Sequence, residues 1–465
     1  MKRRAVLACV VALLSFATAV FAQTSPAAAV VGDWSGTLDA GAIKLRVILH
    51  VTRADDGTLA ARFESVDQGG AMLPTDSINV DGREVSFAIA RASISFKGVL
   101  ADDNQKISGT FTQGPGQLAL VLSRGTASIA LNRPQEPKPP FPYRSEEVTF
   151  PGGADAVTLA GTLTLPAGAG PFPAVLLISG SGPQDRDEAL MGHRPFLVLA
   201  DRLTRAGIAV LRVDDRGAGK STGNFATATT LDFASDAESG VRFLKGRPEV
   251  AQARIGLVGH SEGGLIAPIV ASRSADVAFV VLLAGPGVTG QQILLHQQAK
   301  LSRAAGLSDA VIASRRKMFE TAYDALKDGD RDPDTRARVE KAFADGGMSQ
   351  EERQVALAQM GAPWFKTFLT LDPAVYLRQL KVPVLALNGS LDLQVDPAQN
   401  LPPMRAALAT AGNTDTDVAE MPGLNHLFQH ATTGMPTEYG TIEETMSPEV
   451  LTRVTTWITK HASGR

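Results

Sequence analysis

Serine, histidine and aspartate stand in this 465-residue chain at positions from which they could carry out nucleophilic attack on a carbonyl group. The pattern G-x-S-x-G occurs twice, as Gly259-His260-Ser261-Glu262-Gly263 and as Gly219-Lys220-Ser221-Thr222-Gly223. A serine on a sharp turn between a strand and a helix projects its hydroxyl above a sheet edge, and glycines on either side relieve the crowding. Ile255-Gly256-Leu257-Val258 runs into Ser261 as a strand, and the apolar run from Gly264 to Val270 leaves it as a helix. Ser221 has neither, being preceded by DDRGAGK and followed by the polar NFATATT. Ser261 is the expected nucleophile. Gly219-Lys220-Ser221 also ends like a phosphate-binding loop, but that motif needs glycine five residues earlier, where Asp214 stands.

A serine hydroxyl is a weak nucleophile until a base takes its proton, and histidine suits that role near neutral pH. Of seven histidines, His50 lies far upstream, His193 precedes the elbow, His260 is within it, His296 falls in a helical stretch and His461 ends the last helix. His426 and His430 remain. His426 follows the extended run from Asp417 to Met421 and the turn Pro422-Gly423, which favours it over His430. The acid that orients the imidazole is expected at Asp392, closing the buried strand and turn from Val384 to Leu391. Its rival Asp396 precedes Pro397 at an apparent helix start, where capping explains it better.

The elements that must position these residues follow from periodicity. PAVLLISGSG, IAVLRVDDRG, RIGLVGHSEGG, VAFVVLLAGPG and VPVLALNGSLD each read as a buried strand ending in a loop. FLVLADRLTRAG, LDFASDAESGVRFLKG and LIAPIVASRSA between them have helical spacing, which predicts a mostly parallel sheet with helices on both faces over residues 146–465. Chemistry should collect at the carboxyl ends of the strands. Residues 289–378 hold helices and no strand, the pattern of an inserted lid. Its Met360, Trp364, Phe365, Phe368 and Leu369 form an apolar cluster, and Trp364 and Phe368 are expected to line the substrate site. Residues 23–133 alternate apolar and polar positions in short runs separated by DDG, VDG and ADDN, which predicts a small antiparallel β domain of sandwich or barrel type. His50 sits there in a period-two strand and is read as structural. The proline-rich stretch 134–145 is expected to be a linker.

Taken together, SGSGPQDRDE, DDRGAGKS, GHSEGG, NGSLD and GLNHLF resemble the α/β-hydrolase superfamily, and within it a bacterial serine aminopeptidase-like group made up mostly of esterases. The resemblance implies an α/β-hydrolase fold, the chain order Ser261, Asp392, His426, and a structural part for the DDRGAGKS loop. It also implies an oxyanion site formed by the main-chain N–H of Glu262 and by one from the SGSG loop, with Ser181 preferred and Gly182 next. Ser179 stands where the commoner pattern has histidine, which leaves the second donor open.

The first residues run from Lys2, Arg3 and Arg4 through an apolar stretch to Val20-Phe21-Ala22, so residues 1–22 are expected to be a signal peptide and the protein to be exported, periplasmic or secreted, with no membrane span after cleavage. Cys9, the only cysteine, lies inside that segment, too early for a lipoprotein box, which excludes disulfides and thiol chemistry from the mature chain. Loss of three cations leaves a formal charge of −6, poor for nucleic-acid binding. No metal or cofactor is expected. The expected reaction is cleavage of small-molecule carboxylic esters with small or medium acyl chains. One alternative is removal of N-terminal residues from peptides, with Glu320, Asp324 or Glu340 holding the amine. Another is a noncatalytic ligand-binding protein. Oligomeric state is not legible in the sequence.

Overall fold

A computed structural model describes residues 26–39, 44–66, 71–114, 116–126, 132–153, 157–327 and 334–462; the expected signal peptide lies outside them. They divide into two compact units, one comprising 26–65 and 72–126, the other chiefly 132–462. In the first, Gly32–Asp39 lies between Lys44–Arg53 and Gly116–Arg124 in a nine-stranded sheet, antiparallel at both junctions. Phe63 and Phe87 sit on strands near opposite ends of the sheet order, yet their rings are 5.6 Å apart. The sheet is therefore rolled around one core of Trp34, Leu49, Phe96 and Leu122. His50 bridges Asp33 at 2.8 Å and Glu64 at 3.0 Å across neighbouring strands, a structural use of the imidazole.

The second unit is built on an eight-stranded sheet in the order Arg144–Pro151, Thr158–Leu165, Ala209–Val213, Phe172–Ile178, Val250–His260, Val277–Leu283, Val384–Gly389, Thr416–Met421. The first two junctions are antiparallel and the remaining five parallel. Successive side chains of Phe172–Ile178 point to opposite faces: Ala174, Leu176 and Ile178 join one core, Val175 and Leu177 the other. Burial on both faces is why these strands read as continuous apolar runs. Thr230–Lys245, Gly263–Arg273 and Pro397–Thr410 cover the first face, and Pro195–Arg205 and Pro448–Ala462 the second. Thr229 starts one of these helices with a reciprocal capping box to Asp232, and Gly246 closes it.

Among the described residues, six helices from Gly290–Ala304 to Pro373–Leu377 stand between strands Val277–Leu283 and Val384–Gly389. They carry a core of their own, with Leu295, Met318, Tyr323, Phe343, Met360 and Leu369. Helix Pro363–Thr370 separates two cores by its period: Phe365 and Leu369 face the insert's core, while Trp364 and Phe368 turn toward the sheet. No helix of the described residues is long and apolar enough to cross a membrane.

Candidate active site

Strand Val250–His260 runs straight into Ser261 and helix Gly263–Arg273 leaves two residues later. The turn holds Ser261 at φ 52°, a left-handed backbone that a non-glycine residue adopts under constraint from its surroundings. Ser261 N–H donates to the Leu283 carbonyl at 2.9 Å, which ties the elbow to the next strand. The flanking glycines are required by close approach. A Cβ on Gly259 would stand 2.0 Å from the Gly263 carbonyl oxygen, and one on Gly263 would stand 2.1 Å from that of Ile178.

Ser221 has a different environment. Its Oγ donates to the Asp214 carbonyl at 2.7 Å and accepts the Ala160 N–H at 2.9 Å, so it is consumed in tying a loop to the sheet. That loop is held by Asp214, whose carboxylate receives Arg186 Nη2 at 2.7 Å and the Lys220 N–H at 2.8 Å. Burial works against the charge on Asp214, but these donors hold its carboxyl below the usual range. Its contribution to stability is therefore complete above the ordinary carboxylate range and is lost as pH falls through the depressed value. Arg186→Ala leaves this buried carboxylate with main-chain donors but no counter-charge, and urea unfolding should register a loss of about 3 kcal/mol; an unchanged midpoint would show that the ion pair adds nothing to stability.

His426 and Asp392 meet as a buried pair, with Nδ1 2.8 Å from Oδ2. The other oxygen of Asp392 accepts the Gln394 and Val395 N–H groups, each at 2.8 Å, so the carboxylate is fixed on both sides. With Nδ1 facing the acid, Nε2 is the nitrogen left to take a proton from a serine. Asn425 shapes the loop by accepting the Leu427 and Gln429 N–H groups at 3.0 Å. The rivals are occupied otherwise. His430 is exposed and bonded to Glu444 at 2.8 Å. Asp396 caps helix Pro397–Thr410 and receives His296 at 2.6 Å and Lys300 at 3.3 Å. His193 lies buried between Thr445 and the Tyr439 carbonyl, and burial pushes its pKa down to about 4.

The SGSG loop is shaped by carboxylates that sequence reasoning passed over. Gly180 N–H donates to Glu188 Oε1 at 2.7 Å, while Ser179 Oγ–H and Gln184 N–H donate to Asp215, each at 3.0 Å. Among the described residues, neither the Ser181 nor the Glu262 N–H donates to a main-chain acceptor outside the regular elements. Burial pushes Asp215 up to about 8, with Glu262 and Glu188 adding to it, and pushes Glu262 up to about 7. Glu262 Oε1 accepts Thr230 Oγ1–H and Trp364 Nε1–H, both at 2.7 Å. A cavity of about 50 Å³ is lined by Ser179, Gly180, Gly182, Asp215, Phe233 and Glu262. Glu188 and Asp215 were present in the motifs SGSGPQDRDE and DDRGAGKS, but nothing in a linear pattern signals that a charged side chain will be buried.

Trp364 is half-buried and reaches the elbow through Glu262. Phe368 stacks on it at 4.9 Å but is buried in the core beneath the sheet, so its first effect is on packing. Glu320, Asp324 and Glu340 are exposed, and Asp324 is engaged by Lys327 at 2.9 Å and Gln291 at 3.0 Å. Among the described residues no group of three or more histidine, cysteine, aspartate or glutamate side chains could hold a metal ion.

An eight-stranded, mostly parallel sheet with helices on both faces, a serine elbow at a strand end and a helical insert define an α/β-hydrolase. Residues 194–431 match the serine aminopeptidase S33 family, and the chain belongs to it. Esterase EstD of Thermotoga maritima is 30% identical over 258 residues, which make up 55% of this chain and 54% of that protein. The chain thus spans about half the length of the curated relative it matches. Among solved structures, an esterase of Pyrococcus furiosus is 17% identical, covering 72% of this chain and 98% of its own, with a TM-score of 0.43. A dienelactone hydrolase of Anabaena variabilis is also 17% identical, covering 69% and 98%, with a TM-score of 0.38. Overlaps this weak add nothing to the assignment.

Proposed function

We propose that the protein hydrolyses carboxylic esters through Ser261, His426 and Asp392. The observation that carries this reading is the buried His426–Asp392 pair in a fold whose elbow presents Ser261 in left-handed conformation. His426 Nε2 takes the proton of Ser261 as Oγ attacks the carbonyl carbon, and Asp392 stabilises the imidazolium that forms. The Ser181 and Glu262 N–H groups receive the oxyanion. His426 then passes its proton to the leaving alcohol, and the same imidazole draws a proton from water as the acyl-enzyme is hydrolysed. No metal or cofactor enters the scheme.

The substrate is taken to be a small molecule with a small or medium acyl chain. Esters are favoured over N-terminal peptides because the acidic residues expected to hold an amine are exposed. A fluorophosphonate probe should label Ser261, and p-nitrophenyl acyl esters should turn over far faster than aminoacyl p-nitroanilides; absence of labelling, or the opposite order of rates, would reject the assignment. We further read residues 1–22 as a signal peptide, so the exported protein should begin at Gln23.

Trp364 offers a test of the insert as a specificity element. Trp364→Ala removes a half-buried ring near the elbow and should shift the preferred acyl length, since each methylene in an apolar pocket discriminates by roughly 1–3 kcal/mol. An unaltered chain-length profile in the folded variant would assign Trp364 to the scaffold. Phe368→Ala is instead expected to destabilise the fold by about 3–5 kcal/mol.

A further inference from the structure

Glu188 and His260 take no part in the proposed chemistry, yet both are buried and they join its three parts. Glu188 adopts φ 51°, a left-handed backbone costly for a residue with a side chain. Its Oε1 accepts the Gly180 N–H at 2.7 Å and lies 2.9 Å from His260 Nδ1. His260 Nε2 in turn lies 3.0 Å from the main-chain oxygen of His426, and the two rings are 4.9 Å apart. A Cβ built on Gly180 would stand 3.1 Å from Ser261 Cβ, so the elbow serine borders the same junction.

We propose that Glu188 and His260 form a buried ion pair that clamps the Gly180 loop, the serine elbow and the backbone of His426 into one unit, making both positioning residues for ester hydrolysis; the inference rests on the assignment of Ser261, His426 and Asp392. A carbonyl oxygen only accepts, so His260 Nε2 carries a hydrogen toward His426. The charge is then decided at Nδ1, opposite an oxygen that already accepts from Gly180. A carboxylate receiving two donors is the arrangement that negative charge strengthens. Glu188 Oε2 is buried without a partner among the described residues, so the polar contacts of this carboxylate run through Oε1.

Burial opposes the charge on His260, but the Glu188 carboxylate, the His426 carbonyl and the Asp392 carboxylate raise its pKa above the ordinary value. The other ionisable groups at this junction are the His426 ring and the buried carboxyls of Asp215 and Glu262. A raised folded value means that the pair is complete at low pH and is released as pH rises through that value. An alkaline limb is therefore expected in the pH–rate profile where the pair is released.

The full-length protein, labelled with ¹⁵N in its histidine rings, gives a direct readout. The resonances that vanish in His260→Gln should show both ring nitrogens protonated at pH 7, and should titrate above the ordinary histidine range. Glu188→Gln keeps an acceptor for Gly180 but removes the charge. It should leave His260 singly protonated at pH 7, lower kcat for a p-nitrophenyl ester about 10- to 100-fold, change KM less than about twofold, and displace the alkaline limb. Glu188→Asp, which retains the charge, should recover part of that loss. A singly protonated His260 in the unmodified protein overturns the ion pair, and an unchanged kcat and alkaline limb in Glu188→Gln overturn the clamp. Failure of Ser261 to take a fluorophosphonate probe would instead reject the ester-hydrolase reading, while the ring titration would still report on the pair.

Discussion

Ser261→Ala should lower ester turnover by roughly 10⁴-fold or more while the protein remains folded. The substitution deletes the one oxygen proposed as nucleophile and removes little packing volume. Alanine tolerates the left-handed backbone at φ 52° no better than serine, so the strain of the elbow is about the same in both proteins. The comparison that gives the result meaning is Ser221→Ala. Ser221 Oγ is committed to the Asp214 carbonyl and the Ala160 N–H, and its loss should cost about 1–3 kcal/mol of stability with substantial activity retained. Steady-state kinetics on both variants, with circular dichroism to establish folding, make the check. Equal loss of activity in two folded proteins would mean that the elbow had been assigned to the wrong serine.

The second large effect is expected from Asp392→Asn, which should lower kcat about 10³- to 10⁴-fold with KM little changed. Asp392 is fixed by the Gln394 and Val395 N–H groups on one oxygen and offers the other to His426 Nδ1. An amide in this place can keep its contacts with the main chain through its oxygen, which turns the NH₂ toward Nδ1. That reverses the hydrogen bond and leaves Nε2 carrying the hydrogen, the wrong tautomer for a base. The imidazolium of the transition state also loses its counter-charge. Asp396→Asn should instead act on the His296 and Lys300 contacts and on the helix cap. If Asp396→Asn proved the more damaging of the two, the acid would have to be reassigned.

The strand and elbow pattern was legible because parallel strands buried on both faces leave apolar runs such as AVLLI and FVVLL, which cannot be hidden in composition. The two G-x-S-x-G matches could be separated for the same reason, since only one has a strand before it and a helix after it. The rolling of the first sheet was not legible, because it depends on Phe63 meeting Phe87 from the far side of the strand order. Nor was the supporting set around the elbow. Glu188, Asp215, His260 and Glu262 are polar letters within recognisable motifs, and a polar letter reads as solvated until the fold buries it. Helix Pro363–Thr370 shows a further limit: its apolar residues were read as one cluster, whereas its turn sends Trp364 and Phe368 to one core and Phe365 and Leu369 to another.

The separate core of the helical insert bears on how such a protein can change over generations. Around the elbow, Gly259, Gly263 and Gly264 lie so close to neighbouring backbone that an added Cβ would come within 2.0–2.6 Å of it, and nearly any replacement there would disturb the turn. The insert instead closes on its own Met318, Phe343 and Met360 and reaches the elbow through the hydrogen bond from Trp364 to Glu262. New variation can accumulate in its outward residues with little consequence for the sheet. Lineages adapting to new substrates should therefore diverge first in these helices, with the elbow passed down nearly unaltered.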